Sequence, residues 1–87
     1  VRSQSAQARS IQVQYYAQLR EDAGRSEETV ASAAATVAEL FEELDGRHDF
    51  SVAPDDLRVA VNDAFADWET ALDPHDLVVF IPPVAGG

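Results

Sequence analysis

The chain closes on Phe80-Ile81-Pro82-Pro83-Val84-Ala85-Gly86-Gly87, and the residues best suited to unusual chemistry stand there. The other reactive types are quickly set aside. His48 and His75 are far apart, with no spacing that suggests a metal site, and read as loop or turn residues; no metal is expected. The serines lack a GxSxG elbow. Asp55-Asp56 and the Asp73/Asp76 pair sit in turn sequences, where aspartate is favoured for hydrogen bonds to backbone, so neither pair is assigned catalysis. What remains is the α-carboxylate of Gly87. A carboxylate is a poor electrophile, because its oxygens repel nucleophiles and leave badly. Adenylation supplies a good leaving group, after which a sulfur nucleophile can displace AMP and leave a thiocarboxylate. Gly87 is therefore the expected attachment point, and Gly86 the residue that lets the tail thread a narrow channel, since glycine has no Cβ to jam there. Pro82 and Pro83 hold φ near −65° and favour an extended arm, with Pro82 to Gly87 reaching on the order of 20 Å. An ordinary loose terminus is the competing explanation.

Composition narrows the alternatives. Eighty-seven residues make one small domain, able to bury about 60–65% of its unfolded surface. The absence of cysteine removes disulfides, cysteine-based zinc sites, CxxC redox chemistry and a thiol nucleophile. The chain also contains no lysine, which removes a P-loop, a Schiff-base lysine and an isopeptide acceptor side chain within the domain. A net charge of −10 argues against nucleic-acid binding, which needs clustered Lys and Arg. No apolar run approaches the roughly 18–20 residues needed to cross a bilayer, so no membrane partner is expected and a cytoplasmic location is.

The elements that must carry the tail follow in chain order. Residues 1–10 are polar, lack acidic groups and show neither period, and read as a disordered leader, with a folded domain over 11–81 and an extended tail over 82–87. Ile11-Gln12-Val13-Gln14-Tyr15 alternates as a half-buried strand, with Ile11, Val13 and Tyr15 inward and Tyr16 on the outer face. A turn region over 19–24 and a return strand at Glu28-Thr29-Val30-Ala31 follow. Thr36-Val37-Ala38-Glu39 is a capping box, in which the Thr36 hydroxyl accepts from the Glu39 amide and the Glu39 carboxylate reaches back to the Thr36 amide. Val37, Leu40, Phe41 and Leu44 form one apolar stripe of the helix it opens, and Gly46 reads as a left-handed stop.

Residues 47–56 read as loop, Leu57 to Val61 as a third strand and Asn62-Asp63 as a turn. A short strand carrying Phe65 follows, and Asp73-Pro74-His75-Asp76 has proline at the second position of a type I turn. Leu77-Val78-Val79-Phe80-Ile81 is apolar on both parities, so it is either a central strand covered on both faces or one that offers a face to a partner. One helix can cover only one face of such a sheet. The other should expose Tyr16, Phe65 and part of Leu77, Val79 and Ile81, a patch of the kind that marks an interface.

With these pieces in place the chain resembles the small subunit of molybdopterin synthase, the MoaD family of ubiquitin-like sulfur carriers. The resemblance runs from Ile11 to Gly87 and is carried by Tyr15-Tyr16-Ala17, Leu19-Arg20-Glu21, Thr36-Val37-Ala38-Glu39-Leu40, Val59-Ala60-Val61-Asn62 and, most specifically, Pro82-Pro83-Val84-Ala85-Gly86-Gly87. It implies an α+β fold of β-grasp type, a mixed sheet of four to five strands with one main helix on one face. It implies no bound cofactor and no active site of the chain's own. An E1-like adenylating enzyme would activate Gly87 with ATP, and a sulfur donor protein would load it. The synthase large subunit would then receive the tail and pass sulfur to a cyclic pterin precursor in molybdenum cofactor synthesis. Residues matching Tyr16, Phe65, Ile81 and the tail residues Pro82, Pro83, Val84 and Ala85 would contact partners. The Asp73-Pro74-His75-Asp76 turn departs from the family's usual Asp-Gly-Asp. A bare diglycine end also suits a thiamine-pathway or tRNA-thiolation carrier, or a ubiquitin-like protein modifier. A ubiquitin-fold adaptor with an idle tail is a third possibility.

Overall fold

The structure, a computed structural model, describes residues 8–82. The chain runs β1 (Arg9–Tyr15), α1 (Gln18–Ala23), β2 (Glu27–Ser32), α2 (Val37–His48), a 3₁₀ turn (Pro54–Asp56), β3 (Arg58–Val61), β4 (Ala64–Ala66) and β5 (Leu77–Ile81). The five strands form one mixed sheet in the order β2-β1-β5-β3-β4. Only β1 and β5 run parallel, with Val13 opposite Val78 and Tyr15 opposite Phe80; the other neighbours are antiparallel. The strand that is apolar on both parities therefore lies at the centre, with a helix over one of its faces only.

Helix α2 covers one face. Its stripe of Val37, Leu40, Phe41 and Leu44 joins Ile11, Val13, Tyr15, Val30, Val59, Val78 and Phe80 in one buried cluster. Phe41 is its aromatic hub, with ring centroids 5.5 Å from Phe50 and 5.4 Å from both Trp68 and Phe80. Val79 is buried too, but lies outside that cluster because it faces the other side of the sheet. Among the described residues no helix is long and apolar enough to cross a membrane.

Several local expectations need correction. The leader boundary moves, because Arg9 and Ser10 belong to β1. The Arg9 guanidinium donates to the Leu72 and Ala34 carbonyls, both at 2.7 Å, and the Ser10 carbonyl accepts from the His75 amide. Polar residues thus extend the strand through bonds that no hydrophobic period announces. The region over 19–24 is a six-residue helix, held by buried Leu19 and ended by Gly24 in the left-handed conformation. The Ser51 amide and hydroxyl both bond the Asp22 carboxylate, at 2.8 and 2.9 Å, and fasten this helix to the next loop.

The capping box is only half as drawn. Thr36 Oγ1 accepts from the Glu39 amide at 3.3 Å, but the Glu39 carboxylate takes the Ala35 amide at 2.8 Å, one residue further back. Gly46 is not a stop. The helix continues through His48, and Asp49 takes the left-handed position at φ 55°, its amide bonding the Asp45 carbonyl while the Asp45 side chain accepts from Phe50. Aspartate tolerates this conformation, so glycine is not needed for it.

Two turns position β5. Asn62 and Asp63 both have positive φ, 53° and 72°, the primed pattern whose twist suits a two-residue hairpin between β3 and β4. In the 73–76 turn His75 sits at φ 70° behind Pro74, with the Asp76 amide bonding the Asp73 carbonyl; positive φ at that third position makes it type II, not type I.

Candidate functional site

Sheet register assembles the outer face. Side chains alternate across a strand, so residues paired in register stand on the same side. Phe65 is opposite Ala60, Ala60 opposite Val79 and Val79 opposite Gln14, one row across four strands. The next row pairs Arg58 with Ile81, and the row beyond Gln14 on the other side pairs Gln12 with Leu77. Phe65 is 73% exposed and Tyr16 48%, the only large apolar residues so open among those described. Tyr16 follows Tyr15 at the end of β1, with its hydroxyl 3.4 Å from the Gln14 side chain. Ile81 and Pro82 are half-buried.

Because β1 and β5 are parallel, Tyr16, Ile81 and Pro82 emerge at the same end of the sheet. The sequence-predicted contact residues Tyr16, Phe65 and Ile81 therefore share one face; Pro82 follows Ile81 with the opposite parity, at the end of β5. Ala60 and Arg58 complete this surface, and nothing in the sequence singled them out; only the β3–β5 register reveals them. Pro83, Val84 and Ala85, with the attachment and threading positions Gly87 and Gly86, lie outside the described residues.

What this face can do is dock. Its centre carries Ala60, Val79, Leu77 and Ile81, bordered by the neutral amides of Gln12 and Gln14. Covering an exposed phenylalanine is worth roughly 1.5–3 kcal/mol, so Phe65 is its largest single asset.

Asn62, read from sequence as a turn residue at the end of the Val59-Ala60-Val61-Asn62 motif, does more. Its amide donates to the Leu77 carbonyl at 2.8 Å, its side-chain oxygen accepts from the Leu77 amide at 3.0 Å, and its side-chain nitrogen donates to Asp76 at 2.9 Å. The other Asp76 oxygen accepts from the Asp73 amide at 2.8 Å. These bonds clamp the start of the tail-bearing strand to the β3–β4 hairpin. The Asp73/Asp76 pair thus has the structural role expected of it.

On the helix side the structure assembles a cluster absent from the sequence reading. Tyr15 donates to Glu28 Oε2, and His48 Nε2 lies 2.9 Å from that same oxygen. The His48 ring meets Tyr15 edge-on at 5.8 Å. His48 is therefore a helix residue with a fixed partner, not a loop residue. Burial, then the hydrogen bond to Glu28, pushes the Tyr15 phenol well above its ordinary range. Burial raises the Glu28 carboxyl in turn, but hydrogen bonds from Tyr15 and His48, with favourable charge from His48 and Arg25, outweigh it and the net shift is downward. The exposed Asp22 carboxyl is also lowered, first by the Ser51 amide and then by Gln18. The Tyr15–Glu28–His48 set fastens β2 to α2 away from the outer face. Among the described residues no group of three His, Cys, Asp or Glu is arranged to hold a metal ion.

Comparison with known proteins agrees with this geometry. The family model described as the ThiS family matches residues 13–87. Among solved structures, the chain is 28% identical to a putative molybdopterin converting factor, subunit 1, from Pyrococcus furiosus, with a TM-score of 0.72 over 87% of this chain and 99% of that one. It is 28% identical to SAMP1 from Haloferax volcanii, with a TM-score of 0.73 over 90% of this chain and 99% of that one. A chain of the BexX/CysO complex from Amycolatopsis orientalis is 26% identical, with a TM-score of 0.68 over 88% of this chain and 99% of that one. A mixed five-stranded sheet with one main helix on one face, in a chain matched by that model nearly throughout, is the β-grasp fold. The chain belongs to the ThiS family, the ubiquitin-like sulfur carriers of ThiS and MoaD type.

Proposed function

We propose that the chain is the sulfur-carrying small subunit of a molybdopterin synthase, and that the Gly87 carboxylate is where sulfur is attached. The observation that carries this reading is the path of β5. The central strand of the sheet leads directly into Pro82 and the Pro-Val-Ala-Gly-Gly sequence beyond it, beside an apolar face that can seat a partner. Similarity to a molybdopterin converting factor subunit supports the choice of pathway.

In the proposed cycle the carboxylate attacks the α-phosphorus of ATP on an E1-like enzyme, releasing pyrophosphate. A hydrosulfide equivalent from a sulfur donor protein then forms the C–S bond as AMP leaves. The chain supplies no catalytic group. Its outer face, with Tyr16, Phe65 and Ile81, docks on the large subunit with Pro82 at its border, Val84 and Ala85 follow Pro83 into the cleft, and Gly86 lets the tail pass. The chain is thus a cosubstrate, and ATP is consumed by the activating enzyme.

The test is the intact mass after incubation with the adenylating enzyme, ATP and a sulfur donor, followed by addition of large subunit and pterin precursor. One sulfur-for-oxygen exchange, reversed when precursor is added, is expected. No exchange overturns the carrier role; exchange without precursor-dependent loss overturns the pathway. Gly86→Ala should impair loading or transfer while leaving the melting temperature nearly unchanged. Equal similarity to SAMP1, a small archaeal modifier protein, favours a second reading in which Gly87 is joined to lysines of other proteins. That role predicts Gly-Gly remnants on lysines in cell lysates.

A further inference from the structure

We propose that the groove between α2 and the Pro54–Asp56 turn, on the opposite side of the sheet from the outer face, receives an arginine side chain from a partner protein. Ala38, Phe41 and Glu42 of α2 form one wall, Pro54 and Asp55 the other, and Trp68 lines the groove with them. Its volume is about 200 Å³, below the range of cofactor-sized sites and suited to a single side chain.

The lining is fixed before any ligand arrives. Trp68 meets Phe41 edge-on at 5.4 Å and stacks near Phe80 at 6.1 Å. The chain that carries it is pinned to the start of α2, where the Ala38 amide donates to the Trp68 carbonyl at 2.9 Å and the Val37 amide to the Thr70 carbonyl at 3.1 Å. Little ordering remains to be done on binding.

Charge selects the occupant. Glu42 and Asp55 are exposed on either side of the groove, and among the described residues neither carboxylate has a hydrogen-bond or ion-pair partner. No cation lines the groove to answer them. An apolar, aromatic lining between two free carboxylates matches one side chain closely. An arginine stem covers Ala38 and Pro54, its flat guanidinium lies against the indole, and its forked N–H groups reach carboxylate oxygens. Lysine supplies the charge without the fork. The inference does not depend on which sulfur pathway the chain serves.

Trp68 is the only tryptophan and its emission responds to binding in the groove; because it also borders the pocket beside Phe65 and Arg58, the carboxylate variants assign the response. The probe is the peptide acetyl-Ala-Arg-Ala-Arg-Ala-amide, with citrulline and lysine versions as controls. The arginine peptide should produce a saturable change in Trp68 emission that weakens as salt rises. Citrulline in place of arginine should reduce affinity about tenfold or more, lysine less. Glu42→Gln with Asp55→Asn, both exposed and so compatible with folding, should give the same loss with an unchanged circular dichroism spectrum. The proposal is overturned by no saturable response, by equal binding of the citrulline peptide, or by undiminished binding to the double variant. A protein shortened by Gly86 and Gly87 should bind the peptide as before, which separates this site from the fate of the tail.

Discussion

His75 stands in the left-handed region of backbone space, where a Cβ is unfavourable. At φ 70° it occupies a conformation that costs L residues with a Cβ on the order of 1 kcal/mol. His75→Gly keeps the amide that bonds Ser10, 2.7 Å away, and should raise stability by up to about 1 kcal/mol, read from the urea midpoint. A loss of stability would show that the imidazole makes a compensating contact. Tyr15 makes a pH-dependent prediction. Its phenol is raised in the folded state, so the stability it contributes is complete below the unfolded value of about 10 and is lost as pH rises beyond it. In a Tyr16→Phe background, phenolate absorbance from Tyr15 should therefore appear only as the fold is lost. Phenolate forming while circular dichroism stays native would refute it. The alternation of Ile11, Val13 and Tyr15 put this ring inside from sequence alone. Its partners Glu28 and His48 come from other elements, and no local pattern connects them.

Among the elements, α2 was the most legible, because Val37, Leu40, Phe41 and Leu44 repeat at helical spacing and all four are buried. Its end was not. A glycine followed by polar residues looks like a stop, yet Asp45 and Asp49 close the helix two residues beyond Gly46 and leave that glycine inside it. A Cβ at Gly46 would meet nothing within 4 Å. Gly46→Ala should therefore stabilise the protein by about 0.5–1 kcal/mol through helix propensity alone, measured by chemical unfolding. Helix α1 was missed for the opposite reason. Six residues with one buried anchor, Leu19, are too few to show a period, and the Ser51–Asp22 bonds that hold it come from a distant loop. The last strand, apolar on both parities, was expected either at a covered centre or with one face offered to a partner; it lies at the centre of the sheet, with α2 over one face only.

For the molecule as a whole, the two faces divide the work. The helix face holds the core, and the sheet's other face is left open with Phe65 at its margin. Phe65→Asp should leave stability within about 0.5 kcal/mol, since the ring is mostly in water already. If the proposed function holds, it should weaken association with a synthase large subunit at least about tenfold, as measured by calorimetry. Unchanged affinity would move the docking surface elsewhere. The patch was foreseeable from sequence because a lone helix cannot cover both faces. Its full membership was not, since Ala60 and Arg58 join it only through the β3–β5 register.

The side-by-side pairing of β1 and β5 also bears on how the protein is made. These strands come from opposite ends of the described chain, so most of the sheet's central hydrogen bonds wait until the final segment has been synthesised. While a nascent chain still lacks it, the β1–β2 and β3–β4 hairpins flank an empty slot, with Val13 and Val59 each missing a strand neighbour. Contacts so remote in sequence slow folding and prolong exposure of unpaired strand edges. Closure of the domain and placement of Pro82 are consequently one event, and a ribosome that stalls before Leu77 leaves a product without its central strand or anything beyond it.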